Sequence, residues 1–148
     1  MAVETGQAIL TAIRTRLQAD STLQVAIGKT VAAPASVYRW PNLPNNPVLP
    51  YFSHKLAAPG WPFCQAEYWL DLYYDGHDSA VVDAAVERIR TLLENWSIVT
   101  ADGEIGAGRM SFNAPGSGFV PTGDPLVWHY STAWEIACIT DRLTGLVG

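Results

Sequence analysis

The sequence predicts an α+β fold in which two main helices pack on one face of a mainly antiparallel sheet. Two segments carry apolar residues at helical spacing, several others alternate apolar and polar residues, and the chain order is helix, short helix, strands, helix, strands. With 148 residues, 49% of them apolar and 16% charged, the chain suits one domain spanning residues 1–148.

The N-terminal segment from Glu4 to Ala19 predicts an amphipathic helix. Its apolar stripe consists of Ile9, Leu10, Ile13 and Leu17. Asp20 and Ser21 can cap a second, short helix through Ile27, and Gly28 supplies a stop.

The next part of the chain predicts one strand, a long loop and a second strand. The letters ASVYRW read as a strand after Pro34, and seven of the ten prolines lie between Pro34 and Pro62. Missing amide donors and fixed torsions exclude a helix or a central strand from such a run, so a loop is expected at about residues 41–50. Within the proline-rich part, only Tyr51 to Leu56 resembles a strand.

The middle of the chain predicts a strand followed by a helix. Residues from Phe63 to Tyr74 alternate, with Tyr68 on one face and Trp69 on the other. Asp78 is placed to cap a helix that reaches Asn95.

The C-terminal third predicts three strands and a second long loop. The strands are SIVT, Arg109 to Asn113, and a long alternating strand from Leu126 to Ile139. The Gly-rich letters ADGEIGAG and the letters APGSGFVPTGDP predict irregular structure, so a loop is expected at about residues 101–125.

Two helices cannot cover both faces of this sheet. The second face carries Trp69, Tyr73, Val127, Ala137 and Ile139. Either these are ordinary surface residues or they form an interface between copies of the chain.

Charge is divided unevenly along the chain. Residues 1–60 carry five basic and two acidic side chains, whereas residues 61–148 carry four basic and twelve acidic ones. This asymmetry serves either folding within one subunit or head-to-tail contact between subunits. The overall charge of −5 disfavours a reader of nucleic-acid sequence, and no stretch of the chain is apolar enough to span a bilayer.

The sequence predicts no catalytic, cofactor-binding or metal-binding residues. The three histidines, His54, His77 and His129, lack a chelating motif, and Cys64 and Cys138 lie in apolar strands that disfavour a reactive thiolate. The letters from Gly28 to Thr30 spell the end of a P-loop, but the first glycine of that motif is missing.

Large aromatic residues in or beside irregular segments are typical of contact sites. On this basis we expect interface residues at Trp40, Trp61 and Phe119, and on the second sheet face at Trp69. Asp102 and Glu104, in the acidic Gly-rich connection, complete the predicted interface set.

The order of these elements resembles the tail terminator, or tail completion, family of long-tailed bacteriophages. The similarity rests on the N-terminal helix, on VYRWPNLPNNPVLPYFSH, on AEYWLDLYYDG, on DSAVVDAAVERIRTLLENW and on the final strand LVWHYSTAWEIAC. In this family the proline-rich piece ends in a Pro-Tyr pair that begins a strand, here Pro50 and Tyr51.

The resemblance implies a non-enzymatic virion protein at the tail–neck junction, assembled in the host cytoplasm. It implies a homo-oligomeric ring, a hexamer, that caps the tail tube, stops its polymerisation and joins the tail to the neck. The implied partners are the chain itself, the tail tube protein and a neck or connector protein. Genomic DNA would pass through the lumen without sequence recognition, and neither a cofactor nor a membrane is implied.

Two alternatives remain open from the sequence. A head–tail connector of the adaptor or stopper type shares small size and ring formation, but would contact the portal. A small enzyme or ligand-binding module would instead show a deep pocket that holds a histidine and a carboxylate.

Overall fold

The computed structural model describes residues 2–57, 65–75, 78–99, 105–124, 126–137, 140–141 and 146–147. The helices in this part of the chain are α1 (Ala2–Ala19), α2 (Ser21–Ala26) and α3 (Ser79–Leu93). The strands are β1 (Val37–Arg39), β2 (Tyr51–Ala57), β3 (Gln65–Tyr74), β4 (Ser97–Val99), β5 (Ile105–Val120), β6 (Trp128–Ala137), β7 (Thr140–Asp141) and β8 (Leu146–Val147).

The strands form one curled sheet in the order β1-β2-β3-β6-β5-β7-β8, with β4 paired to β5. Every pairing is antiparallel except that of β1 with β2. This confirms the predicted α+β class with a mainly antiparallel sheet.

The core lies between the helices and one face of the sheet, here called the inner face. From β3 it receives the alternate residues Ala66, Tyr68, Leu70 and Leu72. From α1 it receives Ile9, Leu10, Ile13 and Leu17, and from α3 it receives Val82, Ala85, Val86, Ile89, Leu92 and Leu93. The apolar stripe predicted for α1 is therefore buried, and α3 buries apolar residues at the same helical spacing.

Short polar side chains fix where α2 and α3 begin. The Asp20 carboxylate accepts a hydrogen bond from the backbone of Leu23, and the Asp78 carboxylate accepts one from Ala80. Asp20 also receives two hydrogen bonds from the Arg88 guanidinium, at 2.9 and 2.7 Å, which join α2 to α3. After α2, Gly28 has a φ of 80°, as expected for a residue that ends a helix.

The predicted strand from Arg109 to Asn113 is confirmed, but it is part of a longer strand, β5, so the prediction of a loop at about residues 101–125 is wrong for the rest of residues 105–120. A shift of register between Asn113 and Gly118 lets β5 pass Pro115, which has no amide donor. The Ser117 hydroxyl donates to the carbonyl of Asn113 and accepts from the amide of Ala133 on β6, at 2.8 and 2.9 Å. A side chain thus supplies a strand-to-strand bond that the bulged backbone cannot make.

The other long loop contains neither helix nor strand between Arg39 and Tyr51. Because β1 and β2 are parallel, the chain must return over the length of β1 before it begins β2. The backbone of Trp40 is fixed at the start of this return, where its amide donates to the carbonyl of His54 at 2.9 Å.

Candidate functional site

The structure divides the predicted interface residues into two groups. Trp40 and Trp69 lie near each other on the face of the sheet opposite the helices, here called the outer face. Phe119 lies on β5, apart from them, and belongs to a strand rather than to the predicted loop. Trp61, Asp102 and Glu104 lie outside the described residues, as do Cys64, Cys138 and His77.

Trp40 and Trp69 flank the side chain of Lys55, and these three residues are here called the tryptophan–lysine patch. The Lys55 ammonium lies 5.0 Å from the centre of the Trp40 ring and 4.8 Å from that of Trp69. Cross-strand register explains the arrangement, because Lys55 on β2 stands opposite Trp69 on β3. Lys55 was not among the residues predicted from the sequence. Alternation along β2 indicates its place, because Phe52 and His54 face inward and Lys55, next to His54, must face outward.

The patch borders a groove of about 240 Å³ on the outer face. Its lining consists of Trp40, Ser53, His54, Lys55, Trp69, Asp71, Tyr73 and His129. The Asp71 carboxylate accepts a hydrogen bond from the Ser131 hydroxyl at 2.7 Å. His129 Nε2 lies 3.4 Å from the other carboxylate oxygen of Asp71, but it is buried and makes no hydrogen bond to any described residue.

The described residues in and around the groove do not form a hydrolytic triad. A serine nucleophile needs an imidazole to accept its proton, whereas the Ser131 hydroxyl donates to Asp71. Among the described residues, no three or more His, Cys, Asp and Glu side chains are grouped as metal ligands would be.

A row of rings crosses the outer face at one end of the sheet. Tyr51 stacks on Tyr73 with ring centres 4.7 Å apart, and Tyr73 stacks on His129 at 4.2 Å. Tyr38 meets the edge of Tyr51 at 5.8 Å. Burial raises the pKa of both Tyr51 and Tyr73, and the Asp71 carboxylate adds to the rise at Tyr73. These phenols are therefore uncharged at neutral pH.

Phe119 belongs to a second surface, an open apolar pocket of about 530 Å³, here called the hairpin pocket. It is lined by Phe119, Val120, Pro121, Thr122, Gly123, Asp124, Val127, Trp128 and His129. Phe119 meets Trp128 and Tyr130 edge to face, at ring-centre distances of 5.3 and 4.9 Å. The final strand begins at Trp128 rather than at Leu126, and the residues before it form the rim of the pocket.

Hydrogen bonds hold the rim of the hairpin pocket in one conformation. The Thr122 hydroxyl bonds to backbone groups of Asp124 and Val127, at 2.8 to 3.2 Å. The Asp124 carboxylate accepts from the amide of Leu126 at 2.9 Å. The pocket is therefore shaped before anything binds to it, which reduces the entropy lost on binding.

The outer face also carries a pair of like charges. Glu67 on β3 stands directly opposite Glu135 on β6, and both side chains are exposed. Like charges facing each other across strands destabilise a sheet slightly, and no salt bridge within the described chain offsets this cost.

None of the described helices combines the length and the apolar character that a membrane crossing requires. The sequence matches no protein-family model and no curated protein. Among solved structures, the fold matches a chain of the virion of a native gene transfer agent particle. The TM-score is 0.68 at 14% sequence identity, and the match covers 90% of this chain and 96% of that chain. The two chains share a fold over nearly their whole lengths.

Proposed function

We propose that this chain is a structural protein of a phage-like virion, with the role of a tail terminator. It forms a hexameric ring that caps the tail tube, stops addition of tube protein and joins the tail to the neck. The observation that carries the proposal is the fold shared with a gene transfer agent virion chain. The sequence resemblance to tail terminators supports it independently.

The proposed mechanism is steric, and it depends on contacts between copies. The tryptophan–lysine patch lies toward the β1 edge of the sheet, whereas the hairpin pocket lies at β5 and β6. Two different surfaces of one subunit suit a head-to-tail contact, and such a contact closes into a ring when the rotation per subunit permits. Trp40, Trp69 and Phe119 are our proposed contact residues on these two surfaces.

The excess of acidic residues suits a channel through which DNA slides. In the proposed ring, the exposed carboxylates of Glu67 and Glu135 face the lumen and repel phosphate groups. A reconstruction of the ring with a lumen lined by basic residues would refute this part of the proposal.

The experiment is a measurement of oligomeric state followed by a tube-length assay. The purified chain is examined by sedimentation velocity over a hundredfold range of concentration, and its particles are imaged by electron microscopy. We expect a closed ring with six times the mass of one chain. Added to polymerising tube protein, the ring shortens the tubes and sits at one end of each.

Three outcomes contradict the proposal. A chain that remains monomeric, even with tube protein present, is not a terminator. A ring that leaves tube length unchanged but binds a portal is a head–tail connector. A ring that binds neither tube nor portal has another role.

A further inference from the structure

The residues between Trp40 and Tyr51 form a proline-rich segment of which more than half is exposed, here called the proline segment (residues 41–50, PNLPNNPVLP). Four of its ten residues are proline, and it contains no charged residue. The side chain of Val48, between two of these prolines, is 72% exposed. A valine this exposed makes little contact with its own chain, so its apolar surface remains available to a partner.

The proline segment is also stiff. Proline fixes one backbone torsion and has no amide donor, so less conformational freedom is lost when such a segment binds. Aromatic rings line many of the grooves that bind proline-rich segments. Here the segment turns at residues 40–41 and bends at residues 45–46 and 49–50.

The hairpin pocket has the complementary character. Its walls include Phe119 and Trp128, and its volume of about 530 Å³ lies within the range of ordinary ligand pockets. Phe119 and Val120 at its mouth are 47% and 38% exposed. This one chain therefore carries both an exposed proline-rich segment and an aromatic pocket suited to it.

The two features of one copy do not meet in this structure, because the lining of the hairpin pocket includes no residue of the proline segment. Tyr51, which follows the proline segment, pairs with Tyr73, then His129, then Val120 at the pocket. These are three steps between strands of about 4.8 Å each, or about 14 Å, and the rings of Tyr73 and His129 lie between. The segment is held beside β2 by the backbone of Trp40 and by Tyr51, so in this structure it lies apart from the pocket of its own copy and can meet that of another.

Charge at the margins of the two features is complementary. Exposed Arg39 and Lys55 lie at the Trp40 end of the proline segment, whereas exposed Asp124 lies on the rim of the pocket. The same contrast holds between the basic first 60 residues and the acidic remainder of the chain. Opposite charges favour one orientation of two copies over the reverse.

We propose that the proline segment of one copy docks into the hairpin pocket of the next copy. This inference rests on the proposed ring, and it names the contact that builds the ring. Because segment and pocket are different surfaces, each copy donates its segment to one neighbour and receives the segment of the other.

The test compares four chains by sedimentation velocity: wild type, Val48→Asp, Val120→Asp and the control Val31→Asp. Val31 is 47% exposed and lies outside both features, so its variant carries the same chemical change elsewhere. Val48→Asp and Val120→Asp should each weaken self-association by about tenfold or more, because a carboxylate replaces an apolar contact. Val31→Asp should assemble like wild type, and circular dichroism should show that all four chains are folded.

A mixing experiment then tests whether segment and pocket are partners of each other. Val48→Asp keeps an intact pocket, and Val120→Asp keeps an intact segment. A one-to-one mixture should therefore form heterodimers at concentrations at which neither variant forms dimers alone. The heterodimers should grow no further, because the surfaces left over are both damaged.

The outcomes separate this inference from the proposed function. If wild type and Val48→Asp form the same ring, the docking inference is wrong and the ring remains. If both variants are folded monomers and their mixture stays monomeric, the segment and the pocket do not bind each other, and a tube or neck protein is the next occupant to test. If wild type is monomeric under all conditions, both the inference and the proposed function fail.

Discussion

Buried His54 should make this protein less stable in mild acid. The side chain is 4% exposed, and its Nδ1 lies 2.8 Å from the hydroxyl of Tyr68. Burial lowers the pKa of His54 from 6.5 to about 4, and the nearby cations Arg14 and Arg39 contribute to the fall. Burial also keeps the Tyr68 hydroxyl protonated by raising its pKa, so the phenol can donate to the neutral imidazole.

The direction of the effect follows from which state binds the proton. Above about pH 6.5 the imidazole is neutral in both states and contributes no pH dependence. As the pH falls from 6.5 toward 4, His54 binds a proton in the unfolded chain but stays neutral in the folded one. Since one pH unit is worth about 1.4 kcal/mol, the free energy of unfolding should fall by about 3 kcal/mol across this window.

The assay is urea denaturation at several pH values between 7 and 4, on wild type and on His54→Gln. Glutamine does not titrate, so the variant should lose this part of the pH dependence even if it is less stable at pH 7. The control is Tyr68→Phe, which removes the hydroxyl but leaves His54 buried beside both arginines. It should cost about 1 kcal/mol at every pH and keep the slope of wild type. Parallel pH profiles for wild type and His54→Gln would refute the reasoning.

Two further predictions concern contacts that join elements. Asp20→Ala should lower the free energy of unfolding by about 1 kcal/mol, because it removes the cap of α2, whereas Arg88→Gln keeps the cap and should cost less. Hydrogen bonding from Arg88 is the main reason that the pKa of Asp20 lies below 3.8. The stability that ionised Asp20 contributes is therefore present above that pH and is lost on acidification. Equal stability of Asp20→Ala and wild type in urea would contradict the role of Asp20 as a cap. Lys55→Met should lose two cation–π contacts of about 0.5 kcal/mol each and change the tryptophan emission, because the ammonium no longer lies over Trp40 and Trp69. Unchanged emission and stability would mean that these contacts are not populated in solution.

The predicted interface set shows where sequence reasoning reached its limit. Alternation placed Trp69 on the second face correctly, but it gave no reason to join Trp69 to Trp40, which is 29 residues earlier in the chain. The parallel pairing of β1 with β2 and the register of β2 with β3 bring both rings to Lys55. Such a contact cannot be predicted from local sequence, because it depends on which strands pair and in which register.

By itself, the sequence determined the elements whose signals are local. The apolar stripes of α1 and α3, the caps at Asp20 and Asp78 and the alternation of β3 each arise within a few residues, because helical and strand periodicity fix which side chains face the core. Only the tertiary structure decided that β5 continues through Pro115 and that the final strand begins at Trp128. A proline and glycines discourage a strand locally, but pairing with β6 and the Ser117 hydroxyl supply the hydrogen bonds that the segment lacks. The hairpin pocket lies where β5 ends and β6 begins, so no local pattern could have predicted it.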